Sequence, residues 1–207
     1  MAYSAGFSPH PKVSYVGAAP TGVASEAEYV EIGLDRTVDP EVLRSALDAA
    51  LPPGIDILEA VVARGGSLPD RIDTSEWLLE LPGITQDELA AAVEKFLSAN
   101  EIPVERLTKK GRRTLDARAP VVSVQVDAGA SAADCDGTCA IMRIVVRHVT
   151  PAVRPDDVLT GLRSVSALTL PVPPRATRLV QGAITEGGRI IDPLAADRDG
   201  AVNGAST

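Results

Sequence analysis

Trp77-Leu-Leu-Glu-Leu-Pro-Gly-Ile-Thr-Gln-Asp-Glu-Leu-Ala-Ala-Ala-Val-Glu-Lys-Phe-Leu97 carries two structural signals in succession. Trp77 to Leu81 is a short, bulky apolar run and reads as a strand. Thr85-Gln-Asp-Glu88 is a capping box, in which the Thr85 hydroxyl accepts from the third helical amide and Glu88 reaches back to the Thr85 amide. Leu89, Ala92, Val93, Phe96 and Leu97 recur at helical spacing and predict a helix to about Asn100. A strand passing at once into a capped helix is the first half of a β-α unit, and the flanking residues extend it.

Toward the C-terminus, Val104 to Leu107 reads as a strand, Lys109-Lys-Gly-Arg-Arg113 as a turn, and Thr114 to Val126 as one extended run. Ala128 to Thr138 is small and polar, the composition of a mobile loop. Ala140 to His148 is strongly β-branched and predicts a strand. Pro155 to about Ser166 predicts a helix with Val158, Leu159, Leu162 and Val165 inward, and Ala176 to Ile184 a closing strand. This is read as the β-α-β-β-α-β order of a ferredoxin-like unit, with one strand more than that order holds. The Ala-, Gly- and Asp-rich tail from about Ala195 is expected to be disordered.

Toward the N-terminus, Lys12 to Ala18 reads as a strand, and Glu28 to Leu34 alternates polar and apolar as a half-buried strand does. Pro20-Thr-Gly22 and Ala24-Ser25 supply the turn signals between them. Asp39 and Pro40 suit the N-cap and first position of a helix whose apolar stripe is Val42, Leu43, Ala46, Leu47, Ala50 and Leu51. Pro52-Pro-Gly54 ends it, and Ile55 to Val62 reads as a third strand. This β-β-α-β order is the same unit without its first strand and helix. The expected fold is therefore α+β: tandem ferredoxin-like domains with antiparallel sheets, the first (1–64) truncated at its N-terminus, a linker over 65–75, the second domain over 76–194 and a tail over 195–207.

Composition sets limits on function. Of 207 residues 45% are hydrophobic, enough for a core, but only 3% are aromatic, so Val, Leu, Ile and Ala must fill it. The net charge of −8 argues against a surface coated for duplex nucleic acid, while leaving room for a local basic patch. No apolar run approaches the roughly 18 residues that span a bilayer. With no signal-peptide pattern either, a cytoplasmic protein without membrane contact is expected.

Ala2-Tyr-Ser-Ala-Gly-Phe-Ser-Pro-His-Pro-Lys-Val-Ser-Tyr15 and Pro20-Thr-Gly-Val-Ala-Ser-Glu-Ala-Glu-Tyr-Val-Glu-Ile32 resemble the signature of the radical-SAM-associated (radical SAM-linked) protein family, a domain of unknown function. Lys109-Lys-Gly-Arg-Arg-Thr-Leu-Asp-Ala-Arg118 and Val153-Arg-Pro-Asp-Asp-Val-Leu159 look like its later motifs. The resemblance spans roughly residues 2 to 194, and the actinobacterial branch is the most similar. Members carry a strand and a helix ahead of the Tyr-Ser-x-Gly-Phe motif, which this chain lacks. The resemblance implies a radical SAM protein as partner, not an activity of this chain. A radical SAM cluster needs three thiolates spaced C-x3-C-x2-C. Here Cys135 and Cys139 have the first spacing, but Met142 stands third, and a thioether cannot replace that thiolate. Two cysteines also fall short of a four-ligand zinc site. Neither cofactor nor metal is expected.

Four groups of residues could carry chemistry. In Ser8-Pro-His-Pro-Lys12, two prolines stiffen the loop that aims His10, a possible acid/base or phosphate ligand, with Lys12 as anion partner; a rigid loop with His10 capping a carbonyl is the plainer reading. Arg106, Lys109, Lys110, Arg112, Arg113 and Arg118 set six cations in 13 residues, while residues 101–118 hold three acidic side chains. Such a turn could follow an RNA backbone, dock an acidic partner, or simply be solvated. Arg147, His148 and Arg154, the last at an expected helix start, form a candidate anion site that Asp156 and Asp157 would offset. Glu26 to Glu59 holds nine acidic and two basic side chains and reads as solvated surface.

The leading expectation is a non-catalytic accessory module that binds RNA or presents a macromolecular substrate to a radical SAM protein. One alternative is an enzyme acting on RNA or a nucleotide through His10 and Lys12. Another is a protein–protein scaffold.

Overall fold

The computed structural model describes residues 1–5, 8–108, 111–127 and 138–202. Strands and helices mix, and the strands pair almost wholly antiparallel, so the chain is α+β. The central strand of the main sheet is β4 (Thr74–Pro82), flanked by β8 (Cys139–Arg147) and β9 (Arg175–Ile184), both antiparallel to it. Outside β8 lies β7 (Val121–Val126). At the other edge, β10 (Ile190–Ile191) pairs with one end of β9, and β2 (Ala24–Ser25) runs parallel to Thr177 and Arg178. The order is β10-β9-β4-β8-β7 with β2 beside β9.

Trp77, Leu79 and Leu81 alternate down one face of β4, all buried. Over them lie α2 (Gln86–Ser98) and α3 (Pro155–Val165), which contribute Leu89, Ala92, Val93 and Phe96, and Val158, Leu159 and Leu162. The capping box at the start of α2 forms as read: Thr85 Oγ1 accepts from Glu88 N at 3.2 Å, and Glu88 Oε2 accepts from Thr85 N at 2.9 Å. The helices meet at Gly161, where a Cβ would come within 3.0 Å of the Phe96 ring. A hairpin of β5 (Pro103–Thr108) and β6 (Gly111–Asp116) adds Val104 and Leu115 to this core.

The single extended run expected over 114–126 is two strands. Asp116 divides them: its Oδ1 accepts from Arg118 N at 2.8 Å and Ile102 N at 2.9 Å, and its Oδ2 from Ala119 N at 3.3 Å. A carboxylate binding its own backbone two and three residues ahead makes a turn in place of a strand.

In the N-terminal half, β1 (Val13–Val16) and β3 (Tyr29–Ile32) pair antiparallel as a two-stranded ribbon. Ala24 and Ser25, read as a turn, leave the ribbon for the main sheet as β2. The helix α1 (Pro40–Ala50) starts as expected, with Asp39 Oδ1 accepting from Glu41 N and Val42 N at 2.9 and 3.2 Å. The strand expected over Ile55 to Val62 does not form. Its backbone turns to the helix instead: Ile57 N donates to Asp48 Oδ1 at 2.8 Å, and Ile57 O accepts from Arg44 Nη1 at 3.1 Å.

The span read as a linker over 65–75 holds a 3-10 helix, Leu68–Arg71, and the first residues of β4. Leu68 and Ile72 are buried with Val16, and Tyr29 and Leu194 pack on them. The tail expected to be disordered forms α4 (Ala195–Val202), with Asp197 buried and accepting from Arg71 Nη1 at 2.6 Å and Arg64 N at 3.1 Å. The alternatives an acidic N-terminal turn and a buried carboxylate–arginine bond offer this segment are invisible in its composition. Residues 203–207, and the loop reading over 128–137, lie outside the described residues.

Candidate functional site

Two residues of the predicted basic cluster, Arg106 and Arg118, serve the fold. Arg106 turns inward, where Nη1 donates to Asp157 Oδ2 at 2.8 Å and to Ala152 O at 3.1 Å. Asp157 is 6% exposed and also accepts from Arg154 N at 2.8 Å, so one carboxylate ties β5 to the start of α3. Arg118 Nη1 donates to Val121 O at 3.0 Å, and its guanidinium lies 6.0 Å from the Phe96 ring centre. Arg112 pairs at 3.2 Å with Glu105, both well exposed, a contact of little energetic weight. Arg113 is exposed near the hairpin end. Lys109 and Lys110 lie outside the described residues.

His10 and Lys12 are both exposed. Ser4 N donates to His10 O at 2.8 Å, His10 N to Ser4 Oγ at 3.0 Å, and Lys12 N to Ala2 O at 2.8 Å. This loop is therefore stiffened by its own backbone as well as by its prolines. Arg154 lines an open cleft of about 470 Å³ between residues 18–23 and the start of α3, and Asp156 lines it too. Arg147 is exposed at the end of β8. Cys139 opens β8, Met142 is wholly buried in the core, and Cys135 lies outside the described residues. Among the described residues no group of three or more His, Cys, Asp or Glu side chains is arranged to hold a metal, and no helix is long and apolar enough to cross a membrane.

His148 belongs to a polar clamp that sequence reasoning missed. Residues 17–28 cross the helix-side face of the main sheet beyond the helices, where β4 and β9 offer Ser75, Arg178 and Gln181, each 3% exposed or less. Arg178 Nη1 donates to Gly17 O, Nε to Ser25 Oγ at 3.2 Å and Nη2 to Glu28 Oε1, with its guanidinium 5.3 Å from the Trp77 ring centre. Gln181 Nε2 donates to Ala27 O. Burial pushes the Glu28 carboxyl up, but bonds from Ser25 and Arg178 outweigh it and hold it below the usual range. His148 Nε2 lies 2.7 Å from Ser75 Oγ, and burial, with the Arg178 charge, holds the imidazole below its ordinary pKa. Gly17, at φ +57°, passes so close that a Cβ would stand 2.9 Å from Gln181 Oε1. The legible trace was Arg178 and Gln181 themselves, polar side chains within a predicted strand.

The N-terminal half presents a different surface. Register pairs Val13 with Ile32 and Tyr15 with Val30, so these four side chains share one face of the ribbon. Tyr15 is 72% and Val30 39% exposed. The helix α1 buries none of its residues although it is amphipathic, and Val42 on it is 62% exposed. Ile55 and Leu58 after it are exposed too.

Over residues 1–155 the chain matches the model of a bacterial family described as an uncharacterized protein conserved in bacteria (DUF2344). The chain belongs to that family. No curated protein and no solved structure matches the chain. The DUF2344 span takes in the ribbon, α1, the basic hairpin, Arg147, His148 and Arg154. It ends at the start of α3, so Arg178 and Gln181, which clamp the N-terminal segment, lie beyond it.

Proposed function

We propose that this chain is a non-catalytic accessory module that docks on a radical SAM protein through its N-terminal half and presents a macromolecular substrate to it. The observation that carries the docking is α1, an amphipathic helix with no buried residue, together with the apolar face of the β1–β3 ribbon. Apolar surface of this kind is stabilised when a partner removes it from water. The radical SAM partner itself rests on the resemblance of the Tyr3–Tyr15 and Lys109–Arg118 motifs. The order β9-β4-β8-β7, with α2 and α3 on one face, supports reading residues 76–194 as a ferredoxin-like unit.

The test is co-purification of the full chain with the radical SAM proteins of its host, each assayed at high salt and after nuclease treatment. A stable one-to-one complex is expected. Independent migration of the two proteins would refute the accessory role.

A second reading, RNA contact by the hairpin end, is favoured by the exposure of Arg112 and Arg113. It would rest on phosphate contacts, because the one aromatic on β4, β7, β8 and β9 is Trp77, 6% exposed and unavailable for base stacking. Changing Lys109, Lys110, Arg112 and Arg113 together to Ala should then weaken RNA binding and flatten its salt dependence. Unchanged affinity and slope would remove this reading.

A further inference from the structure

Residues 17–28 are held to the main sheet by polar bonds more than by apolar burial. Arg178 donates to Gly17 O, Ser25 Oγ and Glu28 Oε1, Gln181 donates to Ala27 O, and Glu26 N donates back to Arg178 O at 2.8 Å. Ala27 is buried, while the rest of the segment is exposed or half-buried. Its flanks are anchored separately, because Val16 of β1 and Tyr29 of β3 pack with Leu68, Ile72 and Leu194. A segment with so little buried apolar surface opens locally, at a free energy below that of unfolding the whole chain.

His148 sits against the start of this segment. Its Cε1 lies 4.0 Å from the place a Gly17 Cβ would take. One ring nitrogen bonds the Ile72 backbone, so in the neutral ring the other, Nε2, accepts from Ser75 Oγ at 2.7 Å. A proton on Nε2 turns that nitrogen into a donor and ends the bond from Ser75. Of the charges around the ring, Arg178 on β9 opposes the proton and Asp73 ahead of β4 favours it. Glu28 of the segment is engaged with Arg178, and Arg147 is the exposed neighbour on β8. Burial is the largest influence and acts with Arg178. Lifting residues 17–28 returns water to the ring and to the guanidinium, so the opened state takes the proton more readily. By linkage, a falling pH favours opening.

We propose that residues 17–28 form a strap that leaves the sheet when His148 takes up a proton. Above about pH 6.5 the ring is neutral in both states and the strap stays closed. Below it the opened state is protonated first, and each further unit of pH shifts the balance toward opening by up to about tenfold. The Glu28 carboxyl is held below the usual range and stays charged throughout, so the strap is not released from that side. The chain has two histidines, and the other, His10, is exposed in the loop ahead of β1. The device does not depend on the accessory role.

The experiment is amide exchange of the full chain, read by NMR at pH 7.5 and 5.5 and corrected for the intrinsic rate at each pH. The reporter is the Glu26 amide, whose bond to Arg178 O joins strap to sheet. At both pH values Glu26 should exchange faster than the amides of β4, and its protection should fall by up to about tenfold at the lower pH. His148→Asn and His148→Gln should each abolish that fall, and His10→Asn should leave it in place. Glu26 protection equal to that of β4 would mean that the strap opens only with the whole molecule, which overturns the proposal. So does protection at Glu26 that ignores pH, a pH dependence that survives both His148 replacements, or one that vanishes with His10→Asn.

Discussion

At the scale of the residue, His148 is the group whose protonation the fold opposes. Its ring lies against buried Ser75, near the Arg178 guanidinium, and its pKa is held below the ordinary value by burial first and that charge second; the Ile72 carbonyl and Asp73 act the other way without prevailing. The unfolded chain therefore takes up a proton near pH 6.5 that the folded chain still refuses. Stability from this term is complete above about pH 6.5 and declines as pH falls below it. Denaturant midpoints at pH 7.5 and 5.5 should differ more in the native chain than in His148→Asn. An equal drop in both would show that His148 is not the group responsible. Arg178 carries the other half of the clamp, with hydrogen bonds to Gly17, Ser25 and Glu28. Its partner Glu28 is 44% exposed at the side chain and can be rehydrated, so Arg178→Ala should cost about 2–3 kcal/mol, less than the roughly 3–5 kcal/mol of a fully buried pair. Urea unfolding measures the loss, and amide exchange over residues 17–28 should rise with it. The role of Arg178 could not be read from the chain alone, because the segment that covers it lies some 150 residues away in sequence.

At the scale of the element, the legible features were the local ones. The capping residues Asp39 and Thr85 announce α1 and α2 because the groups they satisfy lie within four residues. The alternation of β4 and the β-branched run of β8 identify strands buried on one face. What failed was non-local. Ile55 to Val62 has a strand composition, yet a strand exists only with a neighbour, and Asp48 and Arg44 of α1 take its backbone groups first. Gly161 shows the same dependence on tertiary context in a helix. Alanine there should gain up to about 1 kcal/mol from helix propensity. Against that, its Cβ would lie 3.0 Å from Phe96 and 3.2 Å from both Ala117 and Ile102, all fully or almost fully buried, and overpacking of this kind costs about 1–3 kcal/mol. Gly161→Ala is therefore expected to lower the melting temperature. A rise would mean that the α2–α3 contact yields more readily than its packing implies.

At the scale of the whole molecule, the burial is lopsided. The main core gathers Leu79, Leu81, Leu89, Phe96, Met142, Ile144 and Val158, each 0% exposed, around one sheet and two helices. The N-terminal cluster has three buried residues, Val16, Leu68 of the 3-10 helix and Ile72 at its C-cap, and α1 buries none. Free energy of local opening follows buried apolar contact, so the two regions should not open together. Hydrogen exchange on the full chain is expected to separate them. Amides of β4 and β8 should exchange only by global unfolding, and those of α1 and β3 by local opening at far lower free energy. The polar clamp limits how far this can spread, because Arg178 and Gln181 hold residues 17–28 to the stable sheet. Exchange should therefore be slow again over Ser25 and Ala27, between two fast regions. A partner docked on the ribbon would slow β1 and β3 while leaving β4 and β8 unchanged. If β3 already exchanges as slowly as β4 in the isolated chain, the ribbon is stable on its own, and the physical reason for a partner on that face disappears.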